Sequence, residues 1–277
     1  MTSPLYSFSI MLTASLSLDL DNQWSYMRTH GDSGWESYPS YIPRLVPIFL
    51  NLFAELDLKI TVFIVGQDAA RAENREALAA ITAAGHEVGN HSLNHLQWMH
   101  RLPDAALSRE IAAAEDHIEA ATGKRPRGFR GPGFACNDRT LMELARRGYE
   151  YDCSLFPTYL GPVARAFYFV SSRKLSKDEA AEREDLFGGM RDGLRPVGSF
   201  RWILPGRELL EIPVTTMPVV KAPLHLSYLL YLARFSKLAF RAYLNTSLGA
   251  CRARGLARVR GLSGDTGVGA AFGQGDG

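Results

Sequence analysis

Two histidines stand four residues apart in His91-Ser92-Leu93-Asn94-His95, and two aspartates flank a leucine in Asp19-Leu20-Asp21. On a helix or helical turn, residues i and i+4 point the same way, so both imidazoles can reach one ion. Alternation at a strand end puts both carboxylates on one face. There they repel, and they need a cation or an arginine nearby. Two imidazoles and one carboxylate form a three-donor set with positions left for water and substrate, and zinc, iron, manganese and cobalt all suit it. Each pair alone also reads as solvated surface; the combination points to a divalent ion. The third element is Arg130-Gly131-Pro132-Gly133-Phe134. A rigid Gly-Pro-Gly turn exposes backbone N–H groups and pins Arg130 beside it. The arginine can hold the aspartate that is not a ligand ionised, and an amide of the turn can receive a developing oxyanion.

These residues need elements to bring them together. Strands are expected at 11–20, 59–65 (KITVFIV) and 86–90, with shorter strand segments at 127–130 and 148–152 and a return strand at 209–214. Helices are expected between them, at 43–56, 68–84 (closed by Gly85), 104–122 (closed by Gly123) and 138–147. Strands alternating with helices imply parallel β-α units. Asp19 and Asp21, His91 and His95, Arg130, and Asp152 then fall just after successive strands. In parallel α/β folds that is the end where sites are built.

Beyond residue 155 the pattern changes. Residues 155–206 read as a charged, Gly-rich insertion over the strand ends, with a Ser176/Glu179 capping box ahead of a short helix. Residues 218–247 form a basic apolar segment with a helix at 224–244. From Ile212 to Gly264 there is no Asp or Glu but eight Lys or Arg. Such a helix can lie on an anionic membrane surface or pack on the barrel. The Gly-rich stretch 248–277 is expected to be disordered.

The chain has 277 residues, 46% hydrophobic and 22% charged, which excludes wholesale disorder. Lys plus Arg exceed Asp plus Glu by only two (31 against 29), so no global basicity points to nucleic acid. Three cysteines are too few for a disulfide framework. No run of 18 apolar residues occurs, and the first 18 residues carry no Lys or Arg. A cytoplasmic protein is therefore expected.

Asp-x-Asp after the first strand, His-Ser-x-x-His after the third and Arg-x-Pro-Gly after Gly123-Lys124-Arg125-Pro126 resemble the polysaccharide deacetylases, the NodB-homology group. Residues 61–66 (TVFIVG) are similar to that family's second-strand signature, and the resemblance spans residues 12–217. It implies an α/β fold, a distorted (β/α) barrel, here with an inserted segment and an atypical C-terminal end. The implied activity is metal-dependent hydrolysis of an acetyl group on an acetamido sugar of a polysaccharide or glycan precursor. By the resemblance, Asp19 is the base, Asp21, His91 and His95 are the ligands, Arg130 orients the base, and a backbone amide at Gly133 stabilises the oxyanion. Tyr151, Asp152 and Pro132 would line the substrate groove. One divalent ion is implied, zinc first, with Co, Mn, Ni or Fe as alternatives. The Asp-x-Asp form is similar to the branch containing peptidoglycan-deacetylase-like and cyclic-amide hydrolases.

The chain departs from the family in one respect. The family takes the leaving-group proton from a histidine on a late strand, in a Leu-x-His-type motif. After His117 this chain has only His225, at the start of the apolar helix. Either His225 substitutes, or the chain lacks the acid and is a non-catalytic glycan-binding relative. A metal-dependent oxygenase is a further alternative, although its usual His-x-Asp pair is absent. A cytoplasmic, possible lipid-linked precursor is the expected partner, with peripheral membrane contact through the basic helix.

Overall fold

A computed structural model describes residues 15–171 and 189–253. Six strands run parallel: Ser17–Leu20 (β1), Thr61–Ile64 (β2), Glu87–Asn90 (β3), Gly128–Phe129 (β4), Tyr151–Asp152 (β5) and, after the antiparallel Phe200–Leu204 (β6), Arg207–Glu211 (β7). They form one seven-stranded sheet in the order β1-β2-β3-β4-β5-β7-β6. This is the mixed α/β fold of distorted-barrel type that the motifs imply.

The helices Gln23–His30 (α1), Ile42–Glu55 (α2), Gly66–Ala69 (α3), Arg75–Ala83 (α4), Asp104–Thr122 (α5), Asp138–Arg147 (α6) and Gly161–Ser171 (α7) fill the connections. Val62 and Ile64 of β2 enter a core with Leu20, Val46, Leu78 and Ile118, beneath α2, α4 and α5. Phe63, between them, points the other way, to Tyr151 and Cys153. Strand alternation thus separates the outer helical core from an inner face. Asp19, flanked by Leu18 and Leu20 of the outer core, shares that inner face with Phe63.

Several expectations are corrected. The single helix over 68–84 is α3, a 3-10 turn at Ala72–Asn74, and α4. The Asn74 amide donates to the Asp68 carbonyl at 2.8 Å and so turns the chain between the two helices. Gly66 opens α3 because the backbone approaches α5 too closely for a side chain: a Cβ there would lie 2.6 Å from Ala114 Cα. α1 escapes sequence patterning because it is polar, but it has both caps, Asn22 and Gly31 (φ 74°). α7 was not expected within the insertion. The insertion also contributes β6, which turns into β7 through Pro205-Gly206, with Gly206 at φ 72°.

The apolar helix is broken at Ser236 into Leu226–Phe235 (α8) and Lys237–Ala253 (α9). The Ser236 hydroxyl accepts from the Ala239 amide at 3.1 Å and starts the second helix. α9 continues through residues 248–253, where disorder was expected. The Ser176/Glu179 capping box and residues 254–277 lie outside the described residues, as does the start of the strand expected over 11–20.

Candidate functional site

The C-terminal ends of the parallel strands line one end of the sheet, and polar residues from β1, β3, β4, β5 and β7 gather there. Asp21 follows β1 directly. Its Oδ1 lies 3.4 Å from His91 Nε2 and 3.4 Å from His95 Nε2, and the three ligand atoms lie within 4.8 Å of one another. Asp21 Oδ1 is buried with no hydrogen-bond partner. Its Oδ2 accepts from Tyr26 Oη at 3.1 Å, and the Tyr41 hydroxyl donates to the Asp21 carbonyl.

The histidine loop is built differently from the expected helical turn. Ser92 and His95 take left-handed backbone angles, φ 63° and 52°. Hydrogen bonds over-determine this shape. The Ser92 amide donates to Asn90 Oδ1 (2.7 Å), and the Asn90 amide group donates to Tyr149 Oη (2.7 Å). Glu110 of α5 accepts from both the backbone and the side chain of Asn94, at 2.6 and 2.8 Å. The Gly66 and Gln67 amides of α3 donate to the Ser92 and Leu93 carbonyls. The two rings end 5.1 Å apart, edge to face.

His91 Nδ1 sits 2.6 Å from the Arg130 carbonyl. It must donate there, which leaves the Nε2 lone pair facing Asp21. Burial lowers the His91 pKa. Burial also opposes charge on Asp21 and His95, but their mutual attraction outweighs it. Asp21 is held well below the usual carboxylate range and His95 is raised.

Asp19 stands apart from this trio. Its Oδ1 accepts from Arg130 Nη1 at 2.6 Å. Arg130 Nη2 also donates to Ser17 Oγ, Nε to the Cys153 carbonyl, and the guanidinium lies 4.3 Å over the Phe63 ring. Burial disfavours its charge, but Asp19 more than offsets this and the pKa rises. The turn after Arg130 is tight. A Cβ on Gly131 would come 2.0 Å from the Ala135 carbonyl oxygen, and Gly133 has φ 60°. Pro132 is buried inside this turn.

Of the expected groove residues, Asp152 lines a cavity of about 150 Å³ together with Gly133, Phe134, Phe156, Trp202 and Glu211, whereas Pro132 does not line it. Nor does Tyr151. Its ring is 3% exposed and packs with Phe63 and Cys153, against the space left by Gly128. Alternation along β5 sends Tyr151 and Asp152 to opposite faces, so Tyr151 is core. His225 is half-buried. Burial lowers its pKa, with the Asp19 carboxylate opposing and Arg130 assisting, so the ring lies within electrostatic reach of that pair.

Sequence reasoning missed the supports. Asp68, fully buried, accepts from Trp24 Nε1 (2.8 Å) and from Asn22, the residue after Asp21. Glu211 was read only as part of a strand; its place at the C-terminal end of β7 was the available signal.

Residues 32–151 match the family model described as polysaccharide deacetylase. The peptidoglycan-N-acetylglucosamine deacetylase of Bacillus cereus is 30% identical over 112 residues, covering 40% of this chain and 49% of that protein. The peptidoglycan deacetylase of Helicobacter pylori is 29% identical over 136 residues, covering 45% and 44%. The chain thus spans less than half the length of these relatives. A candidate polysaccharide deacetylase of Mycobacterium smegmatis, solved as a crystal structure, shares the fold with a TM-score of 0.58 at 19% identity, covering 89% of this chain and 74% of that one. Motifs and sequence similarity agree: residues 32–151 are similar to the polysaccharide deacetylases, and the fold is shared with the Mycobacterium smegmatis structure.

Proposed function

We propose that the protein is a metal-dependent hydrolase that removes the acetyl group from an acetamido sugar of a glycan or glycan precursor. One observation carries this reading: the two aspartates are separated into two environments. Asp21 Oδ1 faces two imidazole nitrogens, whereas Asp19 is held by Arg130. Two imidazole nitrogens and a buried carboxylate oxygen suit a divalent cation, zinc first, which would replace the proton that His95 holds against Asp21. Bound by Asp21, His91 and His95, it supplies Lewis acidity to the acetyl carbonyl and to water.

The chain's own residues do the rest. Asp19 accepts the proton of the attacking water, and Arg130 keeps its carboxylate aimed. The 131–134 turn brings the Gly133 amide beside the developing oxyanion. His225, when protonated, would be the donor to the departing amine. Pro132 shapes the turn, Asp152 lines the cavity beside it, and the names of the curated relatives favour an N-acetylglucosamine-containing glycan.

The test is acetate and free-amine release from N-acetylglucosamine oligomers and peptidoglycan fragments. Activity is expected to disappear with a chelator and return with zinc. Zinc binding and retention of the glycan without acetate release would instead establish the non-catalytic reading. Turnover that depended on dioxygen would establish the oxygenase.

The proposal keeps a cytoplasmic site of action on a precursor presented at a membrane. Leu226, Leu230, Tyr231, Phe235 and Leu238 are exposed on α8 and the start of α9, with Arg234, Lys237 and Arg241 on the same helices. Among the described residues, no helix is long and apolar enough to cross a membrane. Exposed apolar groups with basic neighbours support docking to anionic lipid, each basic residue contributing roughly 1 kcal/mol. Co-sedimentation with anionic vesicles should weaken as salt rises. No binding at low salt by the folded protein leaves the helices as ordinary surface.

A further inference from the structure

Asp152 and Glu211 are register partners at the ends of β5 and β7, so their side chains share a face. Both are buried, at 0% and 1% exposure. Among the described residues, no Lys or Arg forms an ion pair with either. Their other partners are neutral. Asp152 Oδ1 accepts from Ser154 Oγ (2.6 Å), and Cys136 Sγ lies 3.7 Å from Oδ2. Glu211 accepts from the Leu155 amide (3.1 Å) and from Trp202 Nε1 (2.8 Å). The two carboxyls are close enough to act on each other's ionisation, and burial raises the pKa of both. Two adjacent buried carboxylates cannot both ionise without a cation between them. From Ser154 the chain of contacts runs on: its Oγ accepts from the Gly131 amide at 2.8 Å, next to Arg130.

We propose that Asp152 and Glu211 share one proton and that this pair, through Ser154, holds the 130–134 turn in the position in which Arg130 meets Asp19. Glu211 and Ser154 are then positioning residues for the reaction. This role rests on the reading of Asp19 and Arg130 as catalytic; the shared proton does not. Burial and the Asp152 charge push Glu211 from the ordinary 4.5 up to about 10. The other titratable or charged groups around the shared cavity are His100, Cys136, Asp138, Asp192 and Arg195. Loss of the proton at alkaline pH leaves two buried negative charges facing each other. Asp152 then withdraws from Ser154, and the turn loosens.

The closing experiment has two arms, each on the full chain loaded with zinc. The first is thermal melting of wild type and the Glu211→Gln variant against pH. Between the ordinary Glu value and the raised one, the folded wild type binds a proton that the unfolded chain does not, so its stability falls as pH rises. The unfolding constant of wild type relative to the variant should grow by about tenfold per pH unit between about pH 6 and 9. A ratio flat across that range overturns the shared proton.

The second arm is positioning. Glu211→Ala should lower kcat by at least about tenfold, in the range of a misplaced catalytic group. Glu211→Gln should restore most of the loss and remove the alkaline fall seen in wild type. The Gly131 amide should exchange its hydrogen faster in Glu211→Ala and not in Glu211→Gln, whatever the activity. An unchanged Gly131 exchange rate in Glu211→Ala overturns the positioning role. So does an alkaline profile shared by wild type and Glu211→Gln. A wild type with no deacetylase activity, with the melting and exchange results as expected, overturns the proposed function and leaves the proton-sharing clamp standing.

Discussion

Replacing Asp19 by asparagine should lower kcat by roughly a hundred- to ten-thousandfold while leaving zinc bound, the range by which a positioned base accelerates a reaction. The substitution keeps size and an acceptor oxygen, so Arg130 Nη1, now 2.6 Å from Asp19 Oδ1, still has a partner. What is lost is the capacity to take a proton. Asp21→Asn should do the opposite: it weakens metal binding, because Asp21 Oδ1 faces both histidine nitrogens. Stoichiometry by metal analysis and turnover by acetate release, measured on the same preparations, separate the two. Equal behaviour of the two variants would refute the division of labour. A melting curve is the necessary control. Arg130 is only 10% exposed in its side chain, and weakening a buried ion pair destabilises by several kcal/mol at most, ~3–5 when a partner is removed outright. An unfolded Asn variant would lose metal as well, which the prediction excludes.

The parts of this site that were legible in the sequence share one property: they sit at strand ends, in short motifs whose residue types are scarce elsewhere. Asp19, Asp21, His91, His95 and Arg130 all meet at one end of the sheet because six strands run parallel and the chain order is nearly the sheet order. The helical core was equally readable, since α5 and α6 have clean apolar spacing and glycine stops at Gly123 and Gly148. Loop conformation was not. The i, i+4 argument brought His91 and His95 together for the wrong reason. Side-chain bonds from Asn90 and Glu110 impose left-handed angles at Ser92 and His95, and no periodicity encodes them.

Tyr151 and Asp152 show a second limit. A motif read as a unit assigns both residues to the groove, yet successive residues on a strand face opposite ways. The β6–β7 hairpin was hidden because β6 alternates intermediate and exposed residues at a sheet edge. Such a strand has only a weak apolar pattern. Glu211 fell within the expected strand at 209–214, but its significance depends on Asp152 across the ladder, a contact 59 residues away in sequence.

His91→Ala should weaken zinc binding by at least about a hundredfold, beyond the 10–100-fold typical of losing an outer-shell partner. His91 supplies one of three donors, and its ring is locked by the 2.6 Å bond from Nδ1 to the Arg130 carbonyl, so no neighbouring histidine can swing in to replace it. Tyr26→Phe is the graded comparison. It removes only the 3.1 Å hydrogen bond to Asp21 Oδ2, leaves all three donors, and should weaken zinc about tenfold. Competition with a chelating dye gives both affinities without any substrate. Melting gives an independent reading: at zinc a hundred times its dissociation constant, binding stabilises the wild type by about 2.7 kcal/mol. That increment should fall to about 0.4 kcal/mol or less in His91→Ala and shrink by roughly 1.3 kcal/mol in Tyr26→Phe at the same zinc concentration. A zinc-dependent shift of wild-type size in His91→Ala would place the ion elsewhere and remove Asp21, His91 and His95 as its ligands.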